Sequence, residues 1–197
     1  MTQHCTIALN LENDLGMAAK VESTYVDLYY DGEYRGNYLL VEKVEIGKGR
    51  VDIIDLDELN EVANYGVELE NLSIGIGTTE NGATYTYCIG MKSPDNITGG
   101  YLLERDFAVR AIEEICYFYT TRSNYVVVKS PKYASKAEMK YIATLYQEFE
   151  DALYNGGVNP YTGKIYSEYM NLESLVQSYL INEISRNQDS FISSSFL

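Results

Sequence analysis

The sequence predicts an α+β fold in which a strand-rich N-terminal half precedes a helix-rich C-terminal half. Two observations carry this prediction. Asp31-Gly32 lies between two apolar segments, which is a strong signal for a β-hairpin. Further along, two amphipathic stripes of helical period follow one another, the first from Ser135 and the second from Asn171. A chain of 197 residues is also long enough to bury a core without disulfide or metal staples.

The N-terminal elements are a short helix and the hairpin. Residues 25–30 alternate in polarity and form the first hairpin strand, and the second strand is predicted over residues 38–44. Its continuous apolar run, YLLV, is typical of a strand covered on both faces. The short helix is predicted from an apolar face that ends at a glycine: Ala8, Leu11, Leu15 and Gly16.

The middle of the chain is irregular, with short strands predicted near residues 67–72 and 83–91. The motif GIGTTENG contains a Gly-x-Gly, but no lysine and no clear helix follow it, so a turn is favoured over a phosphate-binding loop. Two further strands are predicted, at residues 101–105 and in YVVVKSPKYAS, where Pro131 ends the strand.

The two helices of the C-terminal half carry recognisable ends. Ser135 and Glu138 have the spacing of a capping box, and Gly156-Gly157 ends the first helix. Asn171 is predicted to cap the second, whose apolar stripe runs over residues 172–184.

Composition excludes several classes of partner. With 29 acidic and 15 basic residues the formal net charge is -14, which opposes binding to nucleic acid. A compact anion such as a nucleotide would need a divalent cation as a bridge on this background. No apolar run approaches the length of a membrane span. The 20 tyrosines suit half-buried strand faces, wet pockets or interfaces.

The cysteines are predicted to be small buried apolar residues. The three of them, Cys5, Cys88 and Cys116, are widely spaced without a CxxC motif, and His4 is the single histidine. This pattern disfavours a zinc site. His4 also lacks the partners that a hydrolase triad requires.

Asp189 is the candidate residue of most interest, because it lies in a polar stretch just beyond the second C-terminal helix. A carboxylate in such a position can accept a proton from a hydroxyl or ligate a metal ion. An aspartate after a helix also commonly forms a turn, and Asn187 and Ser190 would support that interpretation. The pattern leaves both interpretations open.

Two other pairs of polar residues lie at or near the ends of predicted strands. Glu42 and Lys43 lie where an apolar strand runs into a charged segment, so their backbone groups either face solvent or read the edge of a planar heterocycle. Glu104 and Asp106 are interpreted as surface ion-pair partners of neighbouring arginines, with metal or acid chemistry as the alternative.

Taken in order, several stretches resemble the spore coat protein H (CotH) kinase family, whose members are similar to atypical protein kinases. They run from about residue 6 to the end: YVDLYYDGEYRGNYLLVEKVE, RVDIIDLDEL, TGGYLLERD, VVVKSPKY and YLINEISRNQDSFISSSFL. The first and last are the specific ones. The resemblance implies an atypical protein-kinase-like fold, with residues 1–46 as the remainder of the N-lobe and the hinge, and residues 47–197 as a C-lobe-like part.

The resemblance also implies a site. Asp189 would take the proton of the acceptor hydroxyl, and Asn187 would be a secondary residue of the same loop. ATP and Mg²⁺ are the implied cofactors, with the metal ligands unassigned, and the implied acceptors are Ser or Thr of secreted or spore-coat proteins at a bacterial spore coat or cell surface. The hinge beside the adenine would be formed by Val41, Glu42, Lys43 and Val44.

The sequence departs from the family at its two ends. Family members continue past the SSS segment into a WDFD-like motif with a metal-binding aspartate, and they extend further upstream. The chain is therefore expected to be an internal part of a longer protein, and to transfer phosphate poorly by itself because that acid is missing. The alternative function is a non-catalytic spore-coat or cell-surface interaction module whose tyrosines are contact residues.

Overall fold

The computed structural model describes residues 8–11, 14–17, 21–187 and 195–197. These residues form an α+β structure, which confirms the predicted fold class. The chain divides into two compact units, residues 1–52 with 171–188 and residues 53–170 with 189–197. Within the described ranges, no helix combines the length and apolar character needed to cross a membrane.

Strands and helices alternate irregularly along the described chain. Two short 3-10 turns, Leu69–Asn71 and Tyr166–Glu168, lie between the regular elements. The regular elements are β1 (Ser23–Tyr30), β2 (Glu33–Val41), α1 (Leu56–Ala63), β3 (Ile74–Thr78), β4 (Thr84–Cys88), β5 (Leu102–Asp106), α2 (Ala108–Ala111), β6 (Tyr117–Tyr119), β7 (Tyr125–Ser130), α3 (Lys136–Tyr154), α4 (Leu172–Ser185) and β8 (Ser195–Phe196).

In the first unit, β1 and β2 form the predicted hairpin. Asp31 and Gly32 have φ angles of 52° and 79°, and a two-residue turn with both φ values positive matches the twist of the flanking strands. The second strand begins at Glu33, earlier than predicted, and ends at Val41. The expectation that both its faces are covered is wrong, because Tyr38 and Leu40 are 48% and 59% exposed on a sheet of two strands.

The first unit also contains α4 and part of the N-terminal helix. Residues 8–11 are helical, and the N–H of Leu15 donates to the carbonyl of Leu11 at 2.9 Å. Gly16 follows with a φ of 68°, as predicted for the residue that ends a helix. The Gln177 side chain of α4 donates to the Leu15 carbonyl at 3.2 Å and so satisfies a terminal acceptor of the N-terminal helix.

The second unit is built on an antiparallel sheet of strand order β3-β4-β6-β7-β5-β8. Strands β4 and β7 confirm the predictions for residues 83–91 and YVVVKSPKYAS, and β5 lies one residue beyond its predicted start. The strand predicted near residues 67–72 is wrong. That segment forms the 3-10 turn, and β3 lies instead over Ile74–Thr78.

The Gly-x-Gly of GIGTTENG therefore lies within β3 and is neither a turn nor a phosphate-binding loop. A Cβ atom at Gly75 would lie 2.6 Å from Cζ of Tyr87, and one at Gly77 would lie 2.6 Å from Cζ of Tyr85. The two glycines thus allow tyrosine rings on the neighbouring strand to lie over β3. This packing explains the motif without a ligand.

Helix α3 packs against this sheet and completes the main core. It begins at the predicted capping box, in which the Glu138 carboxylate accepts from the N–H of Ser135 at 2.8 Å. Asn60 of α1 donates to the same carboxylate at 2.8 Å, so α1 is joined to the start of α3. The core consists of buried side chains from the sheet and from α3, including Tyr85, Leu103, Phe118, Val126, Val128, Met139 and Ile142.

A buried polar network joins the β6–β7 turn to α3. The Glu150 carboxylate accepts from Thr120 and Arg122, each at 3.0 Å, and from the Asn124 amide. Arg122 also donates to Asp151 at 2.7 Å, and its guanidinium lies 4.4 Å from the ring centroid of Tyr154. The buried carboxylate is therefore paired and hydrogen-bonded, as burial of a charge requires.

Candidate nucleotide and catalytic segments

The predicted hinge begins where the hairpin ladder ends. Val41 is the last residue of β2 and pairs with Ser23 of β1. The N–H of Glu42 donates to the carbonyl of Glu22 at 2.9 Å, and the Glu42 carboxylate accepts from the N–H of Glu22 at 3.4 Å. The backbone N–H of Glu42, within the predicted hinge, is thus already paired, contrary to the expectation that the groups at this strand end are unpaired.

Lys43 and Val44 continue the chain beyond the ladder. Neither belongs to a strand, and among the residues that the structure describes their backbone N–H and C=O groups have no hydrogen-bond partner. The Lys43 side chain points to a local partner, with its ammonium 2.9 Å from Oε1 of Glu45. A short segment with unpaired backbone donors and acceptors therefore lies directly after an ordered strand.

The loop that follows folds back on itself. The N–H of Gly47 donates to the carbonyl of Val51 at 3.0 Å, the N–H of Arg50 donates to the carbonyl of Gly47 at 3.0 Å, and the N–H of Val51 donates to the carbonyl of Glu45 at 3.2 Å. Gly49 has a φ of 84°, which lies in the left-handed region that glycine enters at little cost. This turn returns Arg50 to the level of the strand exit.

Arg50 connects the two acids that flank the unpaired segment. Its Nη1 lies 2.8 Å from Glu45 and its Nη2 lies 3.5 Å from Glu42. The hydrogen bond from Lys43, together with Arg50, holds the pKa of Glu45 below its usual value. Sequence reasoning missed Arg50; the available signal was a cation in a Gly-x-Gly-Arg turn just after two acids.

The predicted catalytic loop begins at the end of α4. Asn171 caps the start of this helix, as predicted, by accepting from the N–H groups of Glu173 and Ser174. At the other end Arg186 has a φ of 51°, and its N–H donates to the carbonyl of Glu183 at 3.2 Å. The N–H of Asn187 donates to the carbonyl of Asn182 at 3.0 Å, so the two bonds form a Schellman motif.

Asn187 is thus placed by the helix end itself. Its side-chain amide donates to Oδ1 of Asn182 at 3.1 Å. Asp189 lies outside the described residues. The strand exit and the end of α4 both belong to the first unit, residues 1–52 with 171–188.

The other candidate acids have structural roles in the second unit. The Glu104 carboxylate lies 3.6 Å from the Lys129 ammonium, and Asp106 lies 3.6 Å from Arg110. The ion-pair interpretation agrees with these contacts, although Glu104 pairs with a lysine. Across the described part of the chain, no group of three His, Cys, Asp or Glu residues is placed to hold a metal ion.

The described cysteines are buried, as predicted, while Cys5 and His4 lie outside the described residues. Cys88 and Cys116 are free thiols in the main core. The hydrogen bond to Cys88, with burial, raises the pKa of Cys116. Burial and this hydrogen bond therefore favour the neutral thiol of Cys116 over the reactive thiolate.

A shallow groove on the second unit has an acidic lining. Its acids are Glu61, Glu68 and Glu70, and its rings are Tyr65 and Tyr133. Three carboxylates would repel a phosphate. The groove contains none of the predicted site residues.

Comparison with known protein families identifies the chain. The family model described as CotH kinase protein matches residues 6–197. The curated proteins and the solved structures gave no match to this sequence. The matched range includes the hairpin, the strand exit and the end of α4. The chain therefore belongs to the CotH kinase family.

Proposed function

We propose that the protein acts in ATP-dependent phosphoryl transfer to Ser or Thr side chains of proteins, with Mg²⁺ as the second cofactor. The observation that carries this proposal is the strand exit in a chain of the CotH kinase family. Lys43 and Val44 keep their backbone groups unpaired next to the ordered hairpin. Such a segment is suited to hydrogen-bonding the edge of an adenine ring, which presents one donor and one acceptor side by side.

The fit of ATP to the chain depends on this unpaired backbone segment. Val41 and Glu42 are fixed by the ladder, so the segment that follows starts from a defined position. When bound, Mg²⁺ supplies neutralisation of the charge on the phosphate oxygens. We assign no magnesium ligand, because the described residues contain no suitable group of acids.

Asp189 is proposed as the residue that accepts the proton of the acceptor hydroxyl. The Schellman motif at Arg186 and Asn187 sets the direction in which the chain leaves α4, two residues before Asp189. Phosphoryl transfer depends mainly on such positioning and on electrostatics. Asn187, held against Asn182, is proposed as a positioning residue of the same loop.

The central test combines nucleotide binding with one substitution. ATP with Mg²⁺ should raise the unfolding temperature of the purified chain, because a ligand that binds the native state stabilises it. In the protein, Asp189→Asn should lower autophosphorylation by about two orders of magnitude or more while ATP affinity is retained, as expected for loss of a general base. Asp95→Asn, an exposed acid in the second unit, is the matched control. Unchanged transfer by the Asp189 variant would refute this role.

A non-catalytic interaction module is the second candidate function. The observation that favours it is the exposed aromatic surface of the hairpin, where Tyr29 and Tyr30 are 65% and 69% exposed. Tyr29 also packs against Tyr34 with ring centroids 5.3 Å apart. Tyrosines of this kind are enriched at interfaces, including those that a spore-coat or cell-surface protein would form. A chain that gains no thermal stability from ATP and Mg²⁺ would favour this function.

A further inference from the structure

We propose that Arg50 is a positioning residue for the nucleotide, and that it acts by holding residues 42–45 in the conformation that presents the unpaired backbone of Lys43 and Val44. This inference rests on the proposed function. It extends it to a side chain outside the predicted hinge, since Arg50 acts from the loop that follows.

The geometry is a bridge across the unpaired segment. Glu42 lies immediately before Lys43 and Val44, and Glu45 lies immediately after them. One guanidinium contacts both acids, through Nη2 to Glu42 at 3.5 Å and through Nη1 to Glu45 at 2.8 Å. The two ends of the segment are therefore connected by a single side chain.

Arginine suits this role better than lysine. Its planar guanidinium presents several N–H groups in a fixed fork, so two nitrogens can serve two carboxylates at once. The backbone turn through Gly47 and Gly49 fixes the position from which the side chain reaches back. Glu42 is further held by the N–H of Glu22, the residue just before β1, which joins the bridge to the start of the hairpin.

The consequence for binding is preorganisation. A segment whose backbone groups already point in the binding direction loses less conformational freedom when the ligand binds. The contribution of each ion pair is modest, because the three side chains are partly exposed. We therefore expect a change in affinity of a few fold and no loss of folding when the bridge is removed.

A direct contact of Arg50 with the phosphates is the competing role. The two carboxylates already pair with the guanidinium, and a phosphate would have to displace them. Adenosine separates the two roles because it carries no phosphate. A positioning residue affects adenosine and ATP equally, whereas a phosphate ligand affects ATP alone.

The experiment measures equilibrium dissociation constants of adenosine and of ATP with Mg²⁺ for the purified chain and its variants by titration calorimetry. Arg50→Gln and Glu45→Gln should each raise the dissociation constants of both ligands by about two- to fivefold, as expected for loss of a partly exposed ion pair. The double variant should be no weaker than either single variant, since one bridge is lost in all three. Arg50→Lys should restore the affinity only in part.

Lys48→Gln is the matched control. It removes the same charge from the same loop, and Lys48 is exposed without a hydrogen bond or ion pair to the described residues. Its affinity for both ligands should equal that of the unmodified chain. Circular dichroism checks that every variant is folded.

Three outcomes overturn the inference in different ways. Equal affinities for Arg50→Gln, Glu45→Gln and the unmodified chain remove the positioning role and leave the proposed function intact. If Arg50→Gln binds ATP more weakly but binds adenosine as the unmodified chain does, Arg50 contacts the phosphates instead. If the unmodified chain binds neither ligand, the proposed function fails and the inference fails with it.

Discussion

The two units of the protein use their apolar side chains in opposite ways. In the second unit, Phe118 and Met139 are fully buried between the sheet and α3. In the first unit, Ile181 is the one buried residue among those the structure describes, and the hairpin tyrosines are largely exposed. The geometry of the first unit is therefore set by hydrogen bonds and ion pairs more than by packing, and the proposed nucleotide segment lies there. Substitutions that test this contrast should have large effects in one unit and small effects in the other.

The largest expected effect is on the core of the second unit. Phe118→Ala should lower the free energy of unfolding by about 3–5 kcal/mol, because the ring is fully buried and leaves a cavity. Urea unfolding followed by circular dichroism measures this change. Tyr30→Ala on the hairpin is the control and should change stability by about 0.5 kcal/mol or less. A similar loss in both variants would mean that the hairpin face is covered in solution.

The second largest loss of stability is expected when a buried, ion-paired glutamate is replaced, and an exposed ion-paired glutamate is the control. Glu150→Ala should cost about 2–4 kcal/mol, because Thr120 and Asn124 lose their buried acceptor and Arg122 keeps only its pair with Asp151. Glu33 lies 2.9 Å from Arg35 on the hairpin, but both side chains are at least half exposed. Glu33→Ala should therefore change stability by less than about 0.5 kcal/mol. Thermal unfolding of the two variants measures the difference, and equal costs would contradict the contrast between the units.

The sequence predicted those elements that depend on chemistry within a few residues. The Asp31-Gly32 turn, the Ser135 capping box and the Asn171 cap are all confirmed. Each signal acts over four residues or fewer, so neighbouring residues alone contain it. The buried cysteines are confirmed for a similar reason, since burial follows from residue type.

The errors arose where distant residues decide the structure. Strand β3 forms over Ile74–Thr78 because rings from β4 lie over its glycines, and this requirement does not appear in the local pattern. The YLLV run indicated a covered strand but lies on an open hairpin. In the same way the Arg50 bridge depends on how the loop turns back, and Arg186 takes a left-handed conformation that sequence reasoning would assign to glycine. The role of Asp189 stays a prediction.

A smaller change of stability is expected when alanine replaces a glycine under a tyrosine ring, and a glycine in an open loop is the control. Gly77→Ala should destabilise by about 1–3 kcal/mol, because its Cβ would lie 2.6 Å from a buried ring of Tyr85. Gly47, in the loop of the first unit, has no heavy atom within 4 Å of the corresponding position and no left-handed φ. Gly47→Ala should leave stability unchanged or raise it by up to about 1 kcal/mol. Urea midpoints measure both, and a neutral Gly77→Ala would show that the ring can move.

The smallest changes of stability are expected from replacing the N-terminal caps of the two long helices, α3 and α4. Ser135→Ala should cost about 1–2 kcal/mol, since the residue is buried, its side chain accepts from Glu138 N–H, and its hydroxyl also meets Ser93 at 2.6 Å. Asn171 accepts from two N–H groups but is exposed, so water can replace it, and Asn171→Ala should cost about 0.5–1 kcal/mol. Amide hydrogen exchange at the first turn of each helix measures the two costs separately. Because α4 belongs to the unit with little burial, the stability lost in Asn171→Ala should appear as local opening of α4. The stability lost in Ser135→Ala should appear in the global unfolding of the second unit. Equal and global effects would show that the two units unfold as one.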